Sequence, residues 1–135
     1  MTYLVDANVL SEATKPAPNS KVVDWLSANE RNLVVDSIVL GELCLGVFSL
    51  PAGRKRERLE QWFEALARTL ECLPWDASVA RRWAKLLVEL KRKGRALPLL
   101  DSMIASSALE HGLTVATRNV NHFEPAGVKT VDPFA

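Results

Sequence analysis

The chain has 135 residues, 48% of them hydrophobic, and its seventeen Lys and Arg against sixteen Asp and Glu leave a formal net charge of +1. This length suits one domain with a single sizeable core; the composition excludes a disordered chain, and the charge excludes a polycation that coats nucleic acid indiscriminately. Met1 to Val5 runs into Asp6 without a basic or long apolar leader, and no stretch approaches the ~18 apolar residues of a membrane span, so a cytoplasmic protein is expected.

Tyr3-Leu4-Val5 is a short apolar run that reads as the first strand and ends at Asp6. Asp6 is a candidate N-cap for a helical turn over residues 8–13, and Asn19 or Ser20 for a helix over residues 22–28. Leu33-Val34-Val35 gives the second strand, and Asp36 or Ser37 caps a helix over residues 38–48. A turn at residues 49–53 leads to a helix over residues 54–70, and Leu73 marks a third strand. Asp76 or Ser78 opens a helix over residues 79–93. A loop at residues 94–98 then delivers a helix over residues 101–111, capped by Gly112. Residues 113–117 and 128–131 are the last two strands. Strands alternating with helices predict an α/β fold: one domain over residues 1–135, with a mostly parallel central sheet of about five short strands and helices on both faces.

Three carboxylates, Asp6, Glu42 and Asp101, sit among apolar residues in these segments, with no Lys or Arg beside them. A charge held against a core costs several kcal/mol unless it is paired or bound to a metal. Glu42 is the only charged residue of its helix and falls beside the stripe Val39, Leu40, Leu43, Cys44 and Val47. A solvated glutamate would explain it only if its neighbours were polar, and Gly41, Leu45 and Gly46 are not. Asp101 at a helix start is worth at most ~1 kcal/mol to that helix, which leaves Glu42 unexplained. In open parallel sheets ligands collect beyond the carboxyl ends of the strands, where Asp6 and Asn8 follow the first strand and Thr117-Arg118-Asn119 closes a late one. Three carboxylates brought together repel unless a divalent cation sits among them, and oxygen-only ligation suits Mg²⁺ or Mn²⁺. The chemistry expected is metal-assisted hydrolysis of a phosphodiester.

Other features read as structural. Arg54-Lys55-Arg56 with Arg58, and Lys91-Arg92-Lys93 with Arg95, are solvated helix ends before they are binding patches. Cys44 and Cys72 lack metal or redox spacing and are expected to be buried thiols. Trp25, Trp62, Trp75 and Trp83 build core or a subunit contact rather than stack on bases.

The motifs and their order resemble the PIN-domain ribonucleases, and within them the VapC and FitB-like toxins of bacterial toxin–antitoxin pairs. The resemblance rests on Tyr3-Leu4-Val5-Asp6-Ala7-Asn8-Val9-Leu10-Ser11-Glu12, on Glu42-Leu43-Cys44-Leu45-Gly46-Val47, on Asp101-Ser102-Met103-Ile104-Ala105, and on Gly112-Leu113-Thr114-Val115-Ala116-Thr117-Arg118-Asn119. It implies a Mg²⁺- or Mn²⁺-dependent endoribonuclease with Asp6, Glu42 and Asp101 as catalytic, metal-binding acids. Asn8, Ser11, Thr117 and Asn119 would be supporting polar neighbours, and Arg118 or a basic cluster would position RNA. A cognate antitoxin, lying across an apolar groove, and a homodimer are implied as partners.

The family usually supplies a fourth acid just before the Phe that here is Phe123, and this chain has His122 there. Three acids leave a second cation uncompensated, so a weaker second metal site is expected. His122 then either ligates Mn²⁺, contacts a phosphate, or is an exposed loop side chain; His111, near a helix C-terminus, is structural. The competing expectations are a PIN-like module that binds antitoxin or RNA with impaired catalysis, and a haloacid-dehalogenase-type phosphatase. The latter wants an Asp two residues after Asp6, where the chain has Asn8.

Overall fold

The computed structural model describes residues 1–135. Five strands, β1 (Tyr3–Val5), β2 (Leu33–Asp36), β3 (Glu71–Leu73), β4 (Thr114–Ala116) and β5 (Thr130–Val131), form one parallel sheet in the order β3-β2-β1-β4-β5. Seven helices accompany them: α1 (Ala7–Glu12), α2 (Ser20–Ala28), α3 (Ser37–Phe48), α4 (Arg54–Thr69), α5 (Ala77–Arg92), α6 (Leu99–His111) and α7 (Val120–Phe123). No helix is long and apolar enough to cross a membrane.

The sheet is central because its strands carry the most buried side chains: Leu4, Val5, Val35, Val115 and Ala116 have no exposed surface. From β1 the chain winds outward through β2 to β3, then crosses back to place β4 on the other side of β1. Tyr3 therefore lies opposite Leu33 in β2 and opposite Thr114 in β4. The winding reverses between β1 and β4, which is where a crevice opens beyond the strand ends in sheets of this kind. Asp6 N–H donates to Ala116 O at 2.9 Å and Thr117 N–H to Val131 O at 2.9 Å, so backbone pairing continues to the edge of that crevice.

Side chains cap the helices as their sequences direct. Asp6, Asn19, Asp36 and Asp76 each accept a backbone N–H at the start of α1, α2, α3 and α5. Gly112 ends α6 at φ 65°, in the left-handed region that residues with a Cβ avoid. Helix α6 begins at Leu99, two residues before Asp101, which places that carboxylate in the first turn. The last strand is shorter than expected, because Val128 precedes the pairing, which begins at Lys129 O.

Two expectations fail here. Cys72 is exposed and Cys44 only half-buried, because β3 is an edge strand and Cys44 lies beside the buried stripe of α3. His122 does not lie in a loop; it belongs to α7, which is anchored by the fully buried Phe123. The tryptophans do build structure. Trp25 packs edge-on to Tyr3 at 5.0 Å, and Trp62 lies against the core. Trp75 and Trp83 meet edge-to-face at 5.9 Å, and their indole N–H groups donate to Met103 O and Ser102 Oγ. That pair clamps α5 to the opening turns of α6, the segment that carries Asp101.

Candidate active site at the switch point

Asp6 leaves β1 with only 4% of its surface exposed. Its Oδ1 accepts from Ala7 N–H at 2.8 Å, and its Oδ2 from the Thr117 hydroxyl at 2.7 Å and the Asn8 amide at 3.3 Å. Asp6 thus caps α1 with one oxygen while Thr117 holds the other from the end of β4. Burial raises its carboxyl above the usual range, against the lowering pull of Thr117 and Ala7, while Asp101 and Asp36 push it further up.

Thr117, with no exposed surface, donates to Asp6 and accepts Asn119 N–H at 3.0 Å. Asn8 is committed as well: its amide nitrogen also lies 3.4 Å from Thr117 Oγ1, and its carbonyl oxygen accepts Arg118 N–H at 3.1 Å. No acid stands two residues beyond Asp6, as a haloacid-dehalogenase phosphatase would need. Asn119 enters this network through its backbone N–H. Ser11 turns back into its own helix, 3.5 Å from Asn8 O. Arg118 lays its guanidinium over the Phe134 ring at 4.7 Å.

Glu42 comes from the second turn of α3. Its Oε1 is the one buried side-chain polar atom with no hydrogen-bond partner. Its carboxyl is pushed up to about 7, first by burial and then by the negative charges of Asp6, Asp101 and Asp36. Glu42 opens on a cleft of about 260 Å³, lined by Ala7, Asn8, Ser11 and Thr14 on one side and by Gly46, Leu59 and Trp62 on the other.

Asp101 completes the set, and His122 Nδ1 stands 2.8 Å from its Oδ2. The histidine is an exposed side chain, as one reading expected, and its ring meets a candidate site acid. No Lys or Arg pairs with Asp6, Glu42 or Asp101, so the unpaired state read from the sequence holds in space.

A fourth carboxylate, Asp36, was legible only as a helix cap. It has no exposed surface, caps α3 through Val39 N–H at 2.8 Å, and accepts the Ser107 hydroxyl at 2.7 Å. Burial raises its carboxyl too. The signal for it was present, since Asp36 ends Leu33-Val34-Val35 just as Asp6 ends Tyr3-Leu4-Val5.

An orphaned buried carboxylate oxygen beside two further acids is the donor chemistry of a divalent-cation site. The acids do not form a closed cage, as no three His, Cys, Asp or Glu side chains converge on one point. Like charges without a counter-ion hold apart, and Mg²⁺-type sites take only one or two carboxylates directly and keep waters, so an open set fits such an ion.

The PIN domain family profile matches residues 3–128. The chain belongs to the PIN-domain family. Toxin FitB of Neisseria gonorrhoeae is 38% identical over 136 residues, covering 97% of this chain and 97% of its own. VapC ribonuclease Y4jK of Sinorhizobium fredii is 35% identical over 137 residues, covering 97% of this chain and 96% of its own. The solved structure of FitAB bound to a DNA fragment has a TM-score of 0.93 to this fold at 33% identity, over 99% of this chain and 96% of that one.

Proposed function

We propose that this protein is a metal-dependent endoribonuclease and the toxin of a toxin–antitoxin pair, acting in the cytoplasm, with Asp6, Glu42 and Asp101 holding Mg²⁺ or Mn²⁺. The observation that carries this is Glu42 Oε1, buried, without a hydrogen-bond donor and within electrostatic reach of Asp6 and Asp101. The names of the ribonuclease and toxin relatives supply the substrate class, RNA, and the setting.

The chain's own residues divide the work. Thr117 and Asn8 fix Asp6, so that its orientation is set before substrate arrives. Glu42, its carboxyl pushed up to about 7, would be held ionised by a cation at the site. Asp101, in the first turn of α6, adds its charge to those of Asp6 and Glu42. The cation, when bound, supplies Lewis-acid stabilisation of the phosphodiester undergoing hydrolysis.

In this reading the partners are a cognate antitoxin, since a solved relative is a member of the VapBC family of toxin–antitoxin systems, and a second copy of the chain. Exposed Leu45 and Phe48 on α3, and Leu99 and Leu100 at the start of α6, offer the apolar surface that such contacts bury.

Cleavage of structured RNA by antitoxin-free protein, with Mn²⁺, with Mg²⁺ and with chelator, tests the proposal. Cutting is expected only with metal and is lost in Asp6→Ala and Asp101→Ala. Metal-independent cutting, or cutting that survives both substitutions, refutes it. Protein that is inert under every condition yet captures an antitoxin would be the binding module instead.

A further inference from the structure

The contact between His122 and Asp101 bears on how many cations the site accepts. Asp101 lies in the first turn of α6 with 14% of its side chain exposed; His122 projects from α7 with 49% exposed, and the two atoms meet at 2.8 Å. Facing a carboxylate oxygen, the ring nitrogen serves as the donor, so Asp101 Oδ2 carries an N–H and Oδ1 remains free.

The remaining acceptor capacity can be counted. An ionised carboxylate offers about four lone-pair positions. Asp6 already accepts Ala7 N–H, Thr117 Oγ1–H and the Asn8 amide, which leaves about one. Glu42 Oε1 accepts nothing. Asp36 is excluded as a ligand, because it has no exposed surface and its carboxyl is held by Val39 N–H and the Ser107 hydroxyl, with the Ile38 and Asp36 N–H groups beside it as well. Free oxygens thus come from Glu42, Asp101 Oδ1 and the residue of Asp6, which suffices for a single ion that keeps several waters. A second ion would need another anionic oxygen on the Asp101 side, and there the structure places the His122 ring nitrogen.

We propose that His122 makes this a one-ion centre: by donating to Asp101 Oδ2 it puts an N–H where a second cation would need an anionic oxygen, and it leaves Oδ1 to a single divalent ion that Asp6, Glu42 and Asp101 hold directly or through its waters. His122 is a positioning residue for Asp101. The proposal rests on the metal-centre assignment above.

Titration of the full chain with Mn²⁺ alone tests it, with bound ion counted by equilibrium dialysis and paramagnetic resonance reporting whether ions are coupled. The wild type is expected to bind one Mn²⁺ per chain with an uncoupled signal. His122→Asp supplies the missing oxygen and is expected to bind two, with the signal of a coupled pair. His122→Asn keeps a side-chain N–H and is expected to stay at one. A stoichiometry rising from one to two is not an effect that loosened packing at α7 produces. Two ions on the wild type, or one on a His122→Asp protein whose circular dichroism matches the parent, overturns the one-ion proposal and leaves the metal centre standing. If His122→Asp does not fold, the wild-type and His122→Asn counts still decide. No Mn²⁺ bound by the wild type overturns the metal centre itself, and this proposal with it.

Discussion

Thr117 Oγ1 lies 2.7 Å from Asp6 Oδ2, so the residue that follows β4 holds the residue that follows β1 across 111 positions of sequence. The bond is buried, and removing its donor leaves a carboxylate oxygen under-satisfied. Thr117→Val should cost about 1–3 kcal/mol in urea unfolding and weaken Mn²⁺ binding. Thr117→Ser should restore most of both. Equal stability of the Val and Ser variants would mean that the hydroxyl does nothing for Asp6.

Glu42 makes stability depend on pH with a definite sign. Its carboxyl is raised from 4.5 to about 7, so between those values the folded chain holds a proton that the unfolded chain releases. The metal-free protein should therefore lose stability as pH rises through that window, and burial of Asp6 and Asp36 adds in the same direction. Allowing for the water that reaches Glu42, its share is about 2 kcal/mol. Urea midpoints measured with chelator on both sides of the window check this, and Glu42→Gln should flatten most of the slope. Added Mn²⁺ should stabilise most at the alkaline end, where the carboxylates are charged.

Ser107 has a simpler part. Its hydroxyl is the side-chain donor to Asp36 Oδ2, and both groups are fully buried. Ser107→Ala should cost about 2 kcal/mol, as expected when a buried acceptor loses its partner. Chemical denaturation measures this. A loss below about 0.5 kcal/mol would mean that water or a shifted side chain replaces the hydroxyl.

Gly112 isolates a backbone effect. It sits at φ 65°, and a Cβ added there would meet nothing within 4 Å. Gly112→Ala should therefore cost about 1 kcal/mol from left-handed strain alone, and Gly112→Asn less. A thermal-unfolding series over the three residues separates strain from packing.

The parts of the site that were legible in the sequence are those where a charge interrupts an apolar pattern. Asp6 ends a strand, Glu42 is alone in an uncharged helix, and Asp101 follows two leucines. Asp36 escaped because a buried acid and a helix cap look the same in sequence, and here one side chain is both. The pairing of His122 with Asp101 depends on how α6 and α7 pack, which no local pattern encodes. Cys72 was misplaced for a similar reason: strand alternation predicts a parallel sheet but not which strand lies at its edge. Arg118, read as an RNA contact, has its guanidinium over Phe134, a tertiary contact absent from the local motif.

The placement of β4 beside β1 also sets when, during synthesis, the carboxylate site can assemble. Asp6 and Asn8 leave the ribosome well before Asp101, Thr117 and His122, and β1 has no β4 neighbour until that later segment emerges. Pairing between such distant segments is slow to form and comes late. A nascent chain therefore carries its first acid without the Thr117 hydroxyl that orients it until β4 has been made.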